Sequence, residues 1–99
     1  MDLKQLSDEM HHFVTRKGWY AAGSPRPQTP RNMATSLALE AAEVLEHFQW
    51  GDTGVDRSEL AGELADVMLY LLQLASISGI DLEQAVLDKL EVNYGRAWD

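Results

Sequence analysis

The chain has 99 residues, 45% hydrophobic and 24% charged, a balance that suits one domain with a single modest core and excludes whole-chain disorder. Sixteen Asp and Glu against eight Lys and Arg give a formal charge of −8, which argues against a nucleic-acid polymer as partner but not against a nucleotide held through a divalent cation. With no cysteine, disulfides, thiolate metal sites and cysteine nucleophiles are excluded.

Leu3, Leu6, Met10, Phe13 and Val14 recur at helical spacing, and Gly18 ends that first helix. The start MDLKQLSDEM lacks a signal peptide's apolar core, and the longest apolar run, VMLYLL at 67–72, is too short to span a bilayer. We therefore expect a cytoplasmic protein with no membrane partner. Residues 18–30, GWYAAGSPRPQTP, read as an irregular loop. Thr29 caps a second helix that has Pro30 at its first position, carries Met33, Leu37, Ala41, Val44, Leu45 and Phe48 as its stripe, and runs to Trp50, where Gly51 stops it. After the turn GDTGVD, Asp56 and Glu59 fit a capping box for a third helix. Its core stripe is Leu60, Leu64, Val67, Met68, Leu71, Leu74 and Ala75. Asp81 and Gln84 form a second box, with Ile80 and Ala85 as a staple, and the last helix continues almost to the C-terminus.

Strand signals are nearly absent, so residues 1–99 are expected to form one all-α, four-helix domain. The third helix also carries Leu69, Leu72 and Ile77 off its main stripe, and Leu39 is similarly placed on the second. A helix apolar nearly all round is buried on several sides, which in so short a chain implies a homo-oligomer.

At 100° per residue, Glu40, Glu43 and His47 share one edge of the second helix, while Glu46 points away. Glu59, Glu63, Asp66 and Tyr70 share an edge of the third. In an antiparallel hairpin both edges face the same flank, and Glu40/Glu43 and Glu63/Asp66 reach the same level. Four carboxylates so placed repel one another. They are an unoccupied acidic edge, they are partly protonated, or they hold a cation. Oxygen-only ligands suit Mg2+ or Mn2+. On the last helix Lys89, Asn93 and Arg96 lie along one side, as a polyphosphate clamp or as solvated cations near a helix C-terminus. Trp19, Tyr20 and Trp50 flank the loops and can stack on a base or serve the core.

E-x-x-E, then about twenty residues, then E-x-x-D on consecutive helices resembles the all-α MazG-like nucleoside triphosphate pyrophosphohydrolases. The likeness is strongest to their dCTP pyrophosphatase branch, through PRN at 30–32, LALEAAEVLEHFQW at 37–50, ELADVMLYL at 63–71 and KLEVN at 89–93. The resemblance implies a four-helix bundle that assembles as a dimer or tetramer. It implies Mg2+-dependent hydrolysis of a nucleoside triphosphate to monophosphate and pyrophosphate, with dCTP or several deoxynucleotides as substrates in pool house-cleaning. It makes Glu40, Glu43, Glu63 and Asp66 the catalytic metal ligands. Trp19, Trp50 and Tyr70 would surround base and sugar, with Lys89 and Asn93 as last-helix ligands and Arg31 matching by position; Arg96 joins the substrate-binding set from the clamp spacing alone. Two positions depart from the pattern: Leu39 replaces a first acid, and Met10 stands where that branch carries a base-contacting His. Broader base tolerance is the expected consequence. The alternatives are the same fold acting on dUTP or phosphoribosyl-ATP, and a non-catalytic acidic helical adaptor.

Overall fold

The computed structural model describes residues 1–97. Four helices, and no strand among the described residues, make up the chain: α1 Leu3–Arg16, α2 Pro30–Glu46, α3 Arg57–Ile77 and α4 Leu82–Tyr94. The all-α expectation holds.

Local chemistry fixes most ends. Asp2 and Gln5 exchange side-chain-to-backbone hydrogen bonds of 2.8 Å each, a complete capping box at the start of α1. At its other end Gly18 takes φ +76°. The Gly18 N–H donates to Thr15 O and the Trp19 N–H to Val14 O, the pair of bonds of a Schellman turn. That turn sets Trp19 directly beside the end of α1. The same motif closes α3, where Gly79 has φ +70° and the Ile80 N–H donates to Ala75 O. Thr29 Oγ1 accepts from the Asn32 N–H at the start of α2, ahead of Pro30 at the first turn. Asp56 accepts from the Ser58 and Glu59 N–H groups, with no return bond from the Glu59 side chain to close the expected box. Asp81 accepts from the Gln84 N–H, but the Gln84 amide turns down the helix to Asp88 rather than closing the expected box.

Two larger expectations change. α2 ends at Glu46, not at Trp50; from His47 the N–H groups bond three residues back, to Val44, Leu45 and Glu46 carbonyls, a tightened non-α turn. The buried arc of α3 is also rotated from the expected stripe. Leu72 is 3% exposed, whereas Leu64 is 52% exposed. α3 packs against both α1 and α2, so its buried arc centres on Leu72, Gln73 and Ala75. They meet Met10 and Val14 of α1 and Met33 of α2 as the buried core.

By length and composition alone α3 could cross a membrane. Its place, however, is the centre of the helix packing, and Glu63 and Asp66 would be costly in lipid. α4 buries no residue and packs substantially on α3 alone. The radius of gyration is 16.0 Å, against about 13 Å for a compact chain of this length. Val86, Leu87, Leu90 and Val92 stay exposed on α4.

Candidate functional site

The α2–α3 hairpin brings the four predicted carboxylates into one electrostatic cluster. Glu40 shows it most clearly. Its pKa is raised above the ordinary 4.5, first by burial, then by a hydrogen bond with Glu43 and by the charges of Glu43, Asp66 and Glu63. One of its oxygens, Oε2, is enclosed and has no hydrogen-bond partner. An enclosed carboxylate oxygen without a donor is costly, and a cation is one of the few groups that would satisfy it among other acids. Among the described residues no three His, Cys, Asp or Glu side chains already form a closed metal cluster. The donor set, all oxygen and surplus in negative charge, nevertheless fits a hard divalent ion.

His47 enters the site by a route that periodicity only hinted at. Its Nε2 lies 2.5 Å from Glu63 Oε2, with both side chains largely enclosed. His47 caps α2 in the right-handed helical conformation, on the edge it shares with Glu40 and Glu43. The imidazole thereby fixes the rotamer of one acid in the cluster.

Beside the acids opens a cavity of about 770 Å³, bounded by α1, the 18–29 loop, α2 and α3. Met10, Phe13, Met33 and Leu69 give it apolar walls, and Glu40 and Asp66 bring the carboxylate cluster to it. Trp19 and Tyr70 line it. Trp19 meets Phe13 edge-on at 5.6 Å, and the Arg26 guanidinium sits 5.5 Å from the Trp19 ring centre. Arg26 and Gln73, which sequence patterns did not single out, also line the cavity. A lone Gln within the apolar run LLQLAS is the signal that could have found the second.

Other expected residues lie elsewhere in the single chain. Arg31, Trp50, Lys89, Asn93 and Arg96 are not part of the cavity wall. Trp50 is 92% exposed, because α2 stops before reaching it. Lys89, Asn93 and Arg96 travel with α4 or follow its end, outside the cavity wall. Asn93 Oδ1 is enclosed without a hydrogen-bond partner.

Comparison with known proteins matches the MazG-like family over residues 35–97. dCTP pyrophosphatase 1 of Homo sapiens is 40% identical over 104 residues, covering 96% of this chain and 56% of that protein. A dATP/dGTP diphosphohydrolase of Cyanophage S-2L is 40% identical over 43 residues, covering 43% of this chain and 41% of that one. The chain thus spans about half the length of the curated relatives it matches. Among solved structures, a pyrophosphatase from Archaeoglobus fulgidus superposes with a TM-score of 0.77 at 34% identity, over 91% of this chain and 86% of that one.

Proposed function

The chain belongs to the MazG-like family, and from that premise we propose that it hydrolyses a deoxynucleoside triphosphate, dCTP foremost, to the monophosphate and pyrophosphate with Mg2+. The observation that carries this reading is the enclosed, unpartnered Glu40 Oε2 within a four-acid cluster that borders a large apolar cavity. The acids account for a cation and the phosphates it accompanies. The cavity accounts for a base and sugar. The names of the relatives, dCTP pyrophosphatase 1 and dATP/dGTP diphosphohydrolase, support the substrate class.

In this reading Glu40, Glu43, Glu63 and Asp66 hold the metal, and His47 keeps Glu63 in its ligating rotamer. A bound Mg2+ supplies charge neutralisation on the phosphates and acidifies a water. Glu43, on the open side of the cluster, accepts the proton of the attacking water on its carboxylate. Trp19 and Tyr70 hold the base and sugar, and Arg26 adds a positive charge at the Trp19 wall. Arg31, Trp50, Lys89, Asn93 and Arg96, outside the cavity wall of the single chain, act from a second copy. The exposed apolar face of α4, with Leu39, is the surface on which such copies assemble.

Asp66→Asn is the direct test. It keeps the size and hydrogen-bonding capacity of the side chain but removes one ligand charge. Pyrophosphate release from dCTP should fall by about a hundredfold or more, with the helical circular dichroism unchanged. Undiminished release in that variant contradicts the assignment.

A further inference from the structure

A buried polar network ties the 18–29 loop to α3, and its chemistry determines what the cavity offers a ligand. Gln73 is 3% exposed and lines the cavity. Its Nε2 lies 3.2 Å from Tyr20 Oη and 2.7 Å from Gln28 Oε1. Gln28 in turn places Nε2 2.7 Å from the Arg26 carbonyl oxygen. On the other side, Tyr20 Oη lies 2.6 Å from His11 Nδ1, and His11 Nε2 lies 2.6 Å from Ser76 Oγ.

The direction of these bonds follows from one group that has no choice. A backbone carbonyl can only accept. Gln28 must therefore give its NH2 to Arg26 and turn its own Oε1 toward Gln73. Facing an acceptor, Gln73 must present its NH2 there. Both amide hydrogens are then engaged, one by Gln28 and one by Tyr20. Tyr20, accepting from Gln73, keeps its own hydrogen free for His11 Nδ1, and His11 protonated at Nε2 can then donate to Ser76. The chain of bonds is consistent from end to end. The only hydrogen-bonding group Gln73 has left for the cavity is Oε1, an acceptor.

Position along α3 says what would meet it. Asp66, Tyr70 and Gln73 fall at i, i+4 and i+7, on one face. Gln73 stands about 10 Å along the helix from Asp66. A nucleotide with its phosphates at the acids and its sugar near Tyr70 would bring the edge of its base to Gln73.

We propose that Gln73 is a specificity-determining residue, its amide locked by Gln28 and Tyr20 so that the cavity favours a base carrying an exocyclic amino group, as in cytosine, over one carrying a keto oxygen there, as in uracil. This rests on the nucleotide reading above and deepens it. Two acceptors facing each other leave a buried group unpaired, whereas an amino donor satisfies Gln73 Oε1.

The test compares dCTP with dUTP turnover, and separately the binding of dCMP and dUMP in Mg2+ by calorimetry. The wild type should favour the cytosine nucleotide about tenfold or more in both. Gln73→Met should bring the ratio close to one, mainly through a higher KM for dCTP. Gln28→Ala, at a loop position outside the core, should lower the same ratio although Gln73 is still present, because the freed amide can turn either face to the ligand. That second variant keeps the test decisive if Gln73→Met fails to fold. Turnover of both nucleotides with the ratio unchanged in the variants overturns the role of Gln73 alone. Failure to bind either monophosphate overturns the assignment of the cavity along with it.

Discussion

Replacing Glu40 with Gln should have opposite effects with and without metal. In the metal-free protein Glu40 is half-buried, its Oε2 is enclosed without a donor, and three other carboxylates raise its pKa further. An unsatisfied enclosed polar atom costs roughly 1–3 kcal/mol. The lower end applies here, because Glu40 retains contact with solvent. The substituted amide removes the charge and brings an NH2 that Glu43 can accept. Glu40→Gln should therefore stabilise the metal-free protein by about 1 kcal/mol, which in a domain of this size raises Tm by about 4–8 °C. With metal the order reverses. At a hundredfold excess over its Kd, a ligand bound only by the folded state adds about 2.7 kcal/mol to the wild type, and the variant should gain little of this. The sign with pH follows from the raised pKa of Glu40. Its favourable contribution is complete below the ordinary value of 4.5 and is lost as pH rises through the higher folded value. Metal-free wild type should accordingly lose stability relative to Glu40→Gln on going from mildly acid to neutral pH. Melting curves in chelator and in Mg2+, at both pH values, would show all of this. A variant that melts below the wild type in chelator, or that gains as much from Mg2+, would show that Glu40 is neither strained without the ion nor a ligand to it.

His47→Leu should weaken Mg2+ affinity by about 10–100-fold, the usual cost of losing the partner that orients a ligand; a metal titration that matches the wild type contradicts the His47–Glu63 clasp. Light scattering at micromolar concentration should give a multiple of the 11.1 kDa chain mass, and Leu90→Asp on the exposed face of α4 should shift it toward one chain. A wild-type mass of a single chain contradicts assembly through that face.

What the sequence made legible is what short-range chemistry decides. Thr29, Asp56 and Asp81 cap their helices as their spacing implies, and Gly18 takes the left-handed conformation that its place after α1 requires. The four acids could be brought together on paper because helical period and hairpin height settle their positions. The end of α2 was less legible, since only the i→i−3 bonds from His47 onward distinguish a tightened turn from another helical turn. α3 hid its buried arc because it is apolar almost all round, so periodicity alone could not choose Leu72 over Leu64. The Gln73 network was out of reach for a different reason. Its bonds join residues 45 and 53 positions apart, and only the packing of the loop on α3 creates them. α4 departs from the other helices, and nothing in its pattern says that Val86, Leu87, Leu90 and Val92 stay exposed among the described residues.

If the carboxylate cluster and the cavity act together, a nucleoside triphosphate bound there is cleaved between its α- and β-phosphates with the help of a divalent ion. Phosphorus NMR of dCTP incubated with the wild-type protein reads that bond cleavage without any intermediary. With Mg2+ the three triphosphate resonances should give way to dCMP and pyrophosphate, and with chelator the spectrum should stay unchanged. An intact triphosphate in Mg2+, or release of inorganic phosphate and dCDP instead, would contradict this function.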